Sequence, residues 1–234
     1  DALRQALARH GRGNVHAAQP AVLSLTQATE VGTLYAPNEI RALADIAHTA
    51  GMTVHMDGAR FANAVAALGV SPAEASWKAG VDVLSFGLTK NGALNAESVV
   101  FFDPARAGDF AFHRKRAAHL LSKLRFVSAQ IVAMLENGLW LDLARTANGK
   151  AEALVQGLKQ IKSVTFDIPA QSNSVFPLLP LALIAHLEKK GGHFYTWGQP
   201  QKDGYQRVRL VTSFATLDQD IARFLDAVAL FREN

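Results

Sequence analysis

Short β-favouring runs alternate with helix-length runs across the first hundred residues, and that alternation leaves few architectures open. Residues 21–26, 53–57, 81–85 and 97–102 read as strands. Between them, Pro37 opens a helix whose apolar residues Ile40, Leu43, Ala44, Ile46 and Ala47 share a face, and which stops near Gly51. Residues 62–68 form a small-residue helix. Strands that alternate with helices predict an α/β class: a mostly parallel sheet with helices on its faces. Residues 3–10 read as a short opening helix ended by Gly11. From about Arg106 to Lys162 the pattern is helical. Strand candidates follow at 164–168, 174–177 and 206–212, with helices at 181–190 and 217–232. Asp218 and Asp220 occupy the first turn of the last helix, where the dipole favours acidic groups. The expected division is a large αβα domain over residues 1–135 and a small α/β domain over 136–234.

Composition removes several function classes. Basic residues are scattered apart from 113–116 and 123–125, and the net charge is +4 with a pI of about 9.5. A nucleic-acid face would gather its cations into a stripe with interleaved aromatics, so no nucleic-acid partner is expected, whereas a small anion fits. The chain has no cysteine, which excludes disulfides, thiolate nucleophiles and cysteine-ligated metals. That is compatible with the cytosol, and a cytoplasmic location is the expectation. The most apolar run, 175–187, contains Pro177 and Pro180 and is too short to cross a bilayer, so no membrane partner is expected. His113 and His119 do not share a helical face as an i, i+4 pair would, and no metal site is expected. The first residue is Asp1 rather than methionine, and DALRQALARHG already reads as a polar helix, so the sequence is expected to begin inside a longer chain.

Ligands of open parallel sheets bind beyond the carboxyl ends of the strands. Two strands here end in polar clusters. In HMDGAR, Asp57 is either a functional carboxylate or an Asp-Gly turn former. In SFGLTKNG, Lys90 is either a solvated charge or a nucleophile. The second stretch is nearly free of other charges and joins two apolar strands, so Lys90 is expected to be desolvated, which favours the neutral, reactive amine. Ser85, Gly87, Thr89 and Gly92 offer hydroxyls and accessible amides to a phosphate. A strand-end aspartate followed one crossover later by a strand-end lysine suits pyridoxal 5'-phosphate (PLP): the lysine forms a Schiff base, and the aspartate keeps the pyridine nitrogen protonated. Arg60 can hold that carboxylate or meet a substrate carboxylate. The competing possibility is an Asp57–Lys90 ion pair that merely closes the loop.

The segments LSLTQATEVGTLY, HMDGARFANA, SFGLTKNGALNAESVVFF, HRKRAAHLLSKLRFVSAQ and RVRLVTSFAT together resemble the threonine aldolase family of fold-type-I PLP enzymes, from about residue 22 to 216. The resemblance implies a three-layer αβα large domain, here partial, with a small C-terminal α/β domain. It implies that Lys90 is the Schiff-base lysine, Asp57 the partner of the ring nitrogen, and Arg60 a neighbour of both cofactor and substrate. It makes Arg209 the arginine that grips the substrate carboxylate bidentately. Thr89 joins the cofactor residues, and Lys123 is a candidate to reach toward the phosphate of a neighbouring subunit, the alternative being a solvated helical face. Arg125 is a candidate on the same terms. Many relatives carry a histidine in the loop near the substrate hydroxyl, but Gln27, Thr29 and Glu30 stand in that loop here, with no histidine. Asn173 either faces the site or caps a turn.

The implied reaction is retro-aldol cleavage of a β-hydroxy-α-amino acid, such as threonine or allo-threonine, to glycine and an aldehyde, carried out by a homodimer or homotetramer. Another PLP reaction on the same sheet (β-elimination, racemisation or transamination) is the alternative within enzymes. A non-catalytic fragment is the alternative outside them, because the resemblance implies residues ahead of this chain that supply a phosphate loop and a ring-stacking group.

Overall fold

The computed structural model describes residues 2–10, 13–201 and 203–231. In chain order it forms α1 (Ala2–Arg9), β1 (Val22–Thr26), α2 (Pro37–Thr49), β2 (Thr53–Gly58), α3 (Phe61–Leu68), β3 (Val83–Gly87) and β4 (Glu97–Phe101). Then follow α4 (Phe110–Arg116), α5 (Arg125–Leu135), α6 (Leu139–Leu158), β5 (Ser174–Val175), β6 (Leu178–Pro180) and α7 (Leu181–Lys189). The last elements are β7 (Tyr195–Trp197), β8 (Tyr205–Val211) and α8 (Asp218–Ala229). Gly11 and Arg232, the expected ends of the first and last helices, lie outside the described residues.

The first sheet has the order β1-β2-β3-β4, parallel except for the antiparallel β4. Successive strand side chains point to opposite faces. In β2, Val54 and Met56 are fully buried, while Thr53, His55 and Asp57 sit half-buried on the other face. The apolar face, with Leu25, Leu84 and Phe86, packs with Ile40 and Ala44 of α2, Phe61 and Val65 of α3 and Trp140 of α6. The opposite face carries Ser24, His55, Asp57, Ser85 and Val99 and is exposed or half-buried, with Phe110 of α4 meeting Phe101 at one end. The described residues thus supply the sheet and one helical layer of the expected three. Of the helices, none among the described residues is long and apolar enough to cross a membrane.

The second sheet runs β5-β8-β6 with β7 also on β8, all antiparallel. The strand expected over 174–177 is split, because Pro177 has no amide to give to β8 and serves only as acceptor for Val208, at 3.0 Å. The strand expected at 164–168 shrinks to one bridge between Thr165 and Leu178, and Asp167 turns aside to pair with Arg207. The expected boundary near residue 135 precedes a helix that serves both units. Trp140 and Ala144 of α6 belong to the first core, whereas Leu154 and Leu158 belong to the second, with Leu179, Leu183 and Val208.

At the amino end of β3, Asp82 ties the sheet to α2. Its Oδ2 accepts from the Val54 amide at 2.7 Å and from His48 Nε2 at 2.9 Å, and Arg106 lies 3.4 Å from Oδ1. Burial works against the charge, but the hydrogen bonds from Val54 and His48 and the Arg106 cation prevail and hold the carboxyl below its ordinary 3.8. A folded-state pKa that is lowered contributes stability above the ordinary value and loses it as the pH falls through the folded one. Asp82→Ala is therefore expected to cost about 1–3 kcal/mol near neutrality, since the buried Val54 amide loses its acceptor. In urea melts the gap between wild type and variant should narrow well below pH 4, and an unchanged gap there would refute the assignment.

Candidate active site

β1, β2 and β3 finish at the same edge, with Asp57 in register with Thr26 on one side and Ser85 on the other. Gly58 and Gly87 let the strand ends close up. A Cβ on Gly58 would stand 2.7 Å from the Ser85 carbonyl oxygen, and one on Gly87 would stand 2.8 Å from the Ala59 Cα. Beyond β1, the fully buried Gln27 donates its amide to the Asp57 carbonyl at 2.9 Å. Its side chain exchanges hydrogen bonds of 2.8 and 3.1 Å with the Tyr35 backbone, which closes the loop from 27 to 35.

Asp57 Oδ1 accepts from the Ala59 amide at 2.9 Å, so the residue does form an Asx turn. No cation pairs with it among the described residues. Lys90 stands on the 3-10 turn Thr89–Asn91 beyond β3. The turn is pinned by its neighbour Asn91, 5% exposed, whose Nδ2 donates to the Trp140 carbonyl at 2.7 Å. Lys90 itself is exposed, which corrects the expectation that it is desolvated: the buried position on this turn goes to Asn91 instead. An Asp57–Lys90 ion pair does not form.

Of the groups expected to form a phosphate cradle, Ser85 and Thr89 already hold hydrogen bonds within the chain, and Gly87 and Gly92 are closely packed. Ser85 Oγ lies 2.9 Å from His55 Nε2, and Thr89 Oγ1 accepts from the Ala96 amide at 3.1 Å. A Cβ on Gly87 would also meet the Glu97 carboxylate at 2.7 Å, and one on Gly92 would meet the Phe214 ring at 2.9 Å. Ser85 thus bonds across to β2, Thr89 braces the turn, and the two glycines give their neighbours close approach. His55, which the sequence pattern does not single out, bridges three strands, with its Nδ1 2.8 Å from Ser24 Oγ. Its place two residues before Asp57, on the polar face, was the available signal.

Arg60 and Arg209 come together. Arg60 precedes α3 and Arg209 points from β8, and both line a cavity of about 840 Å³ with Glu188, His193, Phe194 and Tyr195. Burial, and then the nearby Arg209 charge, hold Arg60 below the ordinary guanidinium pKa, with Glu30 opposing them. Neither arginine has a carboxylate partner among the described residues. Asp57, Lys90 and Thr89 sit outside this lining, at the sheet edge. Lys123 is exposed in the turn before α5, and Arg125 is exposed as the first residue of α5; neither reaches the cavity. Asn173, 5% exposed, donates to the Thr212 carbonyl at 2.7 Å and so joins β5 to the end of β8. His193, in the loop before β7, and Tyr195, which opens that three-residue strand, lie in no segment long enough to show a periodic pattern.

The family model for beta-eliminating lyases matches residues 1–179. The low specificity L-threonine aldolases of Pseudomonas sp. and Pseudomonas aeruginosa are 44% and 45% identical over 186 residues, 80% of this chain and 54% of theirs. The chain thus spans about half the length of these relatives. The structure of Leishmania major threonine aldolase superposes with a TM-score of 0.88 at 26% identity, over 97% of this chain and 65% of that one. An Oryza sativa TDC solved with PLP and tryptamine shares the fold, with a TM-score of 0.63 at 14% identity, over 90% of this chain and 48% of that one. A match over residues 1–179 that includes the strand-end aspartate and lysine makes this chain a member of the beta-eliminating lyase family.

Proposed function

We propose that this chain carries the lysine and substrate-anchoring half of a PLP-dependent aldehyde-lyase, which cleaves threonine, allo-threonine and related β-hydroxy-α-amino acids to glycine and an aldehyde. The observation that carries the reading is the pair of arginines, Arg60 and Arg209, sharing one cavity with neither in a salt bridge among the described residues, although Glu188 also lines it. Two guanidiniums so placed repel each other, which a bound anion relieves, and a planar carboxylate matches the donor fork of either.

The residues at the sheet edge fit the cofactor. Lys90 presents an exposed amine to which no group is bonded among the described residues, and Asp57 presents a carboxylate free of any cation. Lys90 would hold PLP covalently and Asp57 would face its ring nitrogen, so that the bound cofactor acts as a sink for the electrons of the broken bond. Arg209 and Arg60 fix the substrate carboxylate and thereby choose which bond at Cα is broken. His55, hydrogen-bonded at both ring nitrogens, keeps the face beside Asp57 polar. Product analysis with L-threonine tests the reading: glycine with acetaldehyde supports it, whereas ammonia with a keto acid would move the chain to an eliminating reaction.

Self-association belongs to the same proposal. Phe112, Leu121, Phe126, Val132 and Leu135 on and around α4 and α5 are 47–74% exposed, apolar surface that a second copy of the chain would cover. Sedimentation velocity is expected to show a dimer or tetramer. A monomer at micromolar concentration would count against this part.

A further inference from the structure

Arg209 lines its cavity with no salt bridge among the described residues, and the positive charge of Arg60 acts on it there. A guanidinium so placed needs something to hold its direction before a substrate binds. Its Nε is buried without a hydrogen-bond partner, so that edge provides no tether. What the guanidinium does have is the face of Trp197, with the ring centroid 5.4 Å from Cζ.

Trp197 is itself fixed. It closes β7, in register with Arg207, two residues beyond Tyr195, which pairs with Arg209. Its ring meets Phe176, 1% exposed, at 5.5 Å and 70°. Its carbonyl accepts from Nε2 of Gln206, 2% exposed, at 3.0 Å. The indole is thus braced from the core.

We propose that Trp197 is a positioning residue, whose indole face holds the Arg209 guanidinium in the cavity beside Arg60, ready for a carboxylate. A cation over an aromatic face is attracted by the ring quadrupole. Unlike an acidic partner, the ring uses none of the in-plane N–H donors, so they stay free for a bidentate carboxylate. The inference rests on reading Arg209 as the carboxylate anchor, and its test separates the two.

The test is titration calorimetry of the whole chain, supplied with PLP, using glycine as a carboxylate that cannot be cleaved. Trp197→Met and Trp197→Phe have similar volumes and both can pack on Phe176, but only the phenylalanine keeps an aromatic face. Trp197→Met is expected to weaken glycine binding roughly tenfold, and Trp197→Phe less than about threefold. Equal losses in the two variants, or wild-type affinity in Trp197→Met, would overturn the proposal. Arg209→Ala is the control: unchanged affinity there, or no glycine binding by the wild-type chain, overturns the anchor reading and this inference with it. If circular dichroism shows that Trp197→Met does not fold, fluorinated tryptophan at position 197 keeps the shape while draining the ring face. Affinity that falls with fluorination supports the proposal, and affinity that does not fall overturns it.

Discussion

Replacing Lys90 with alanine is expected to remove the visible absorbance that PLP gains when bonded to a lysine, and to lower aldehyde release from threonine on the order of 10⁴-fold or more. The exposed lysine beyond the end of β3 is the one that the turn Thr89–Asn91 presents at the sheet edge. The fold should not register the change. Lys90 is exposed, whereas the structural bond of the turn belongs to Asn91, so thermal stability should stay within about 0.5 kcal/mol of wild type. Lys90→Arg sharpens the test. It keeps the positive charge, but a guanidinium is protonated at all accessible pH values and cannot take the aldehyde. Activity retained in Lys90→Arg would mean that Lys90 acts only as a charge, and the covalent reading would fall.

The expected positions of Asp57 and Lys90 were legible because they depend on local pattern. The alternation of Val54 and Met56 with His55 and Asp57 sets which residues of β2 face the helices, and the strand must end where Gly58 permits close approach to Ser85. The exposure of Lys90 was not legible. Whether Lys90 or Asn91 turns inward depends on the carbonyl of Trp140, 49 residues further along the chain on α6. Arg209 could be assigned a role only through the family likeness, since in isolation it is one arginine in an alternating strand. Its setting comes from β7, where the glycines 191, 192 and 198 leave only three strand residues between them, too few for periodicity to reveal. The break at Pro177 was readable in principle, because a residue without an amide cannot complete a ladder flanked on both sides by β8 pairings.

Trp140→Ala should have the largest effect on stability, about 3–5 kcal/mol. The indole, 7% exposed, stacks on Phe61 with centroids 6.5 Å apart and planes 13° from parallel. Its edge contact with Phe86 is at 5.4 Å and 90°, and Phe61 meets Phe86 in turn at 6.1 Å. The three rings join α6, α3 and β3, so truncating one leaves a cavity bounded by two helices and a sheet, which cannot collapse onto it without moving all three. For a chain of this length each kcal/mol is worth roughly 2–4 °C, so a melting temperature lower by about 6–20 °C is expected from circular dichroism. Trp140→Phe, which keeps a ring against Phe61, should lose less than half of that. The hydrogen bond from Asn91 ends on the Trp140 backbone, so it survives the truncation in whatever fraction stays folded. At low temperature Trp140→Ala should therefore still acquire the Lys90-dependent PLP absorbance. A variant that melts normally but loses that absorbance would show that the ring supports the lysine turn rather than the core.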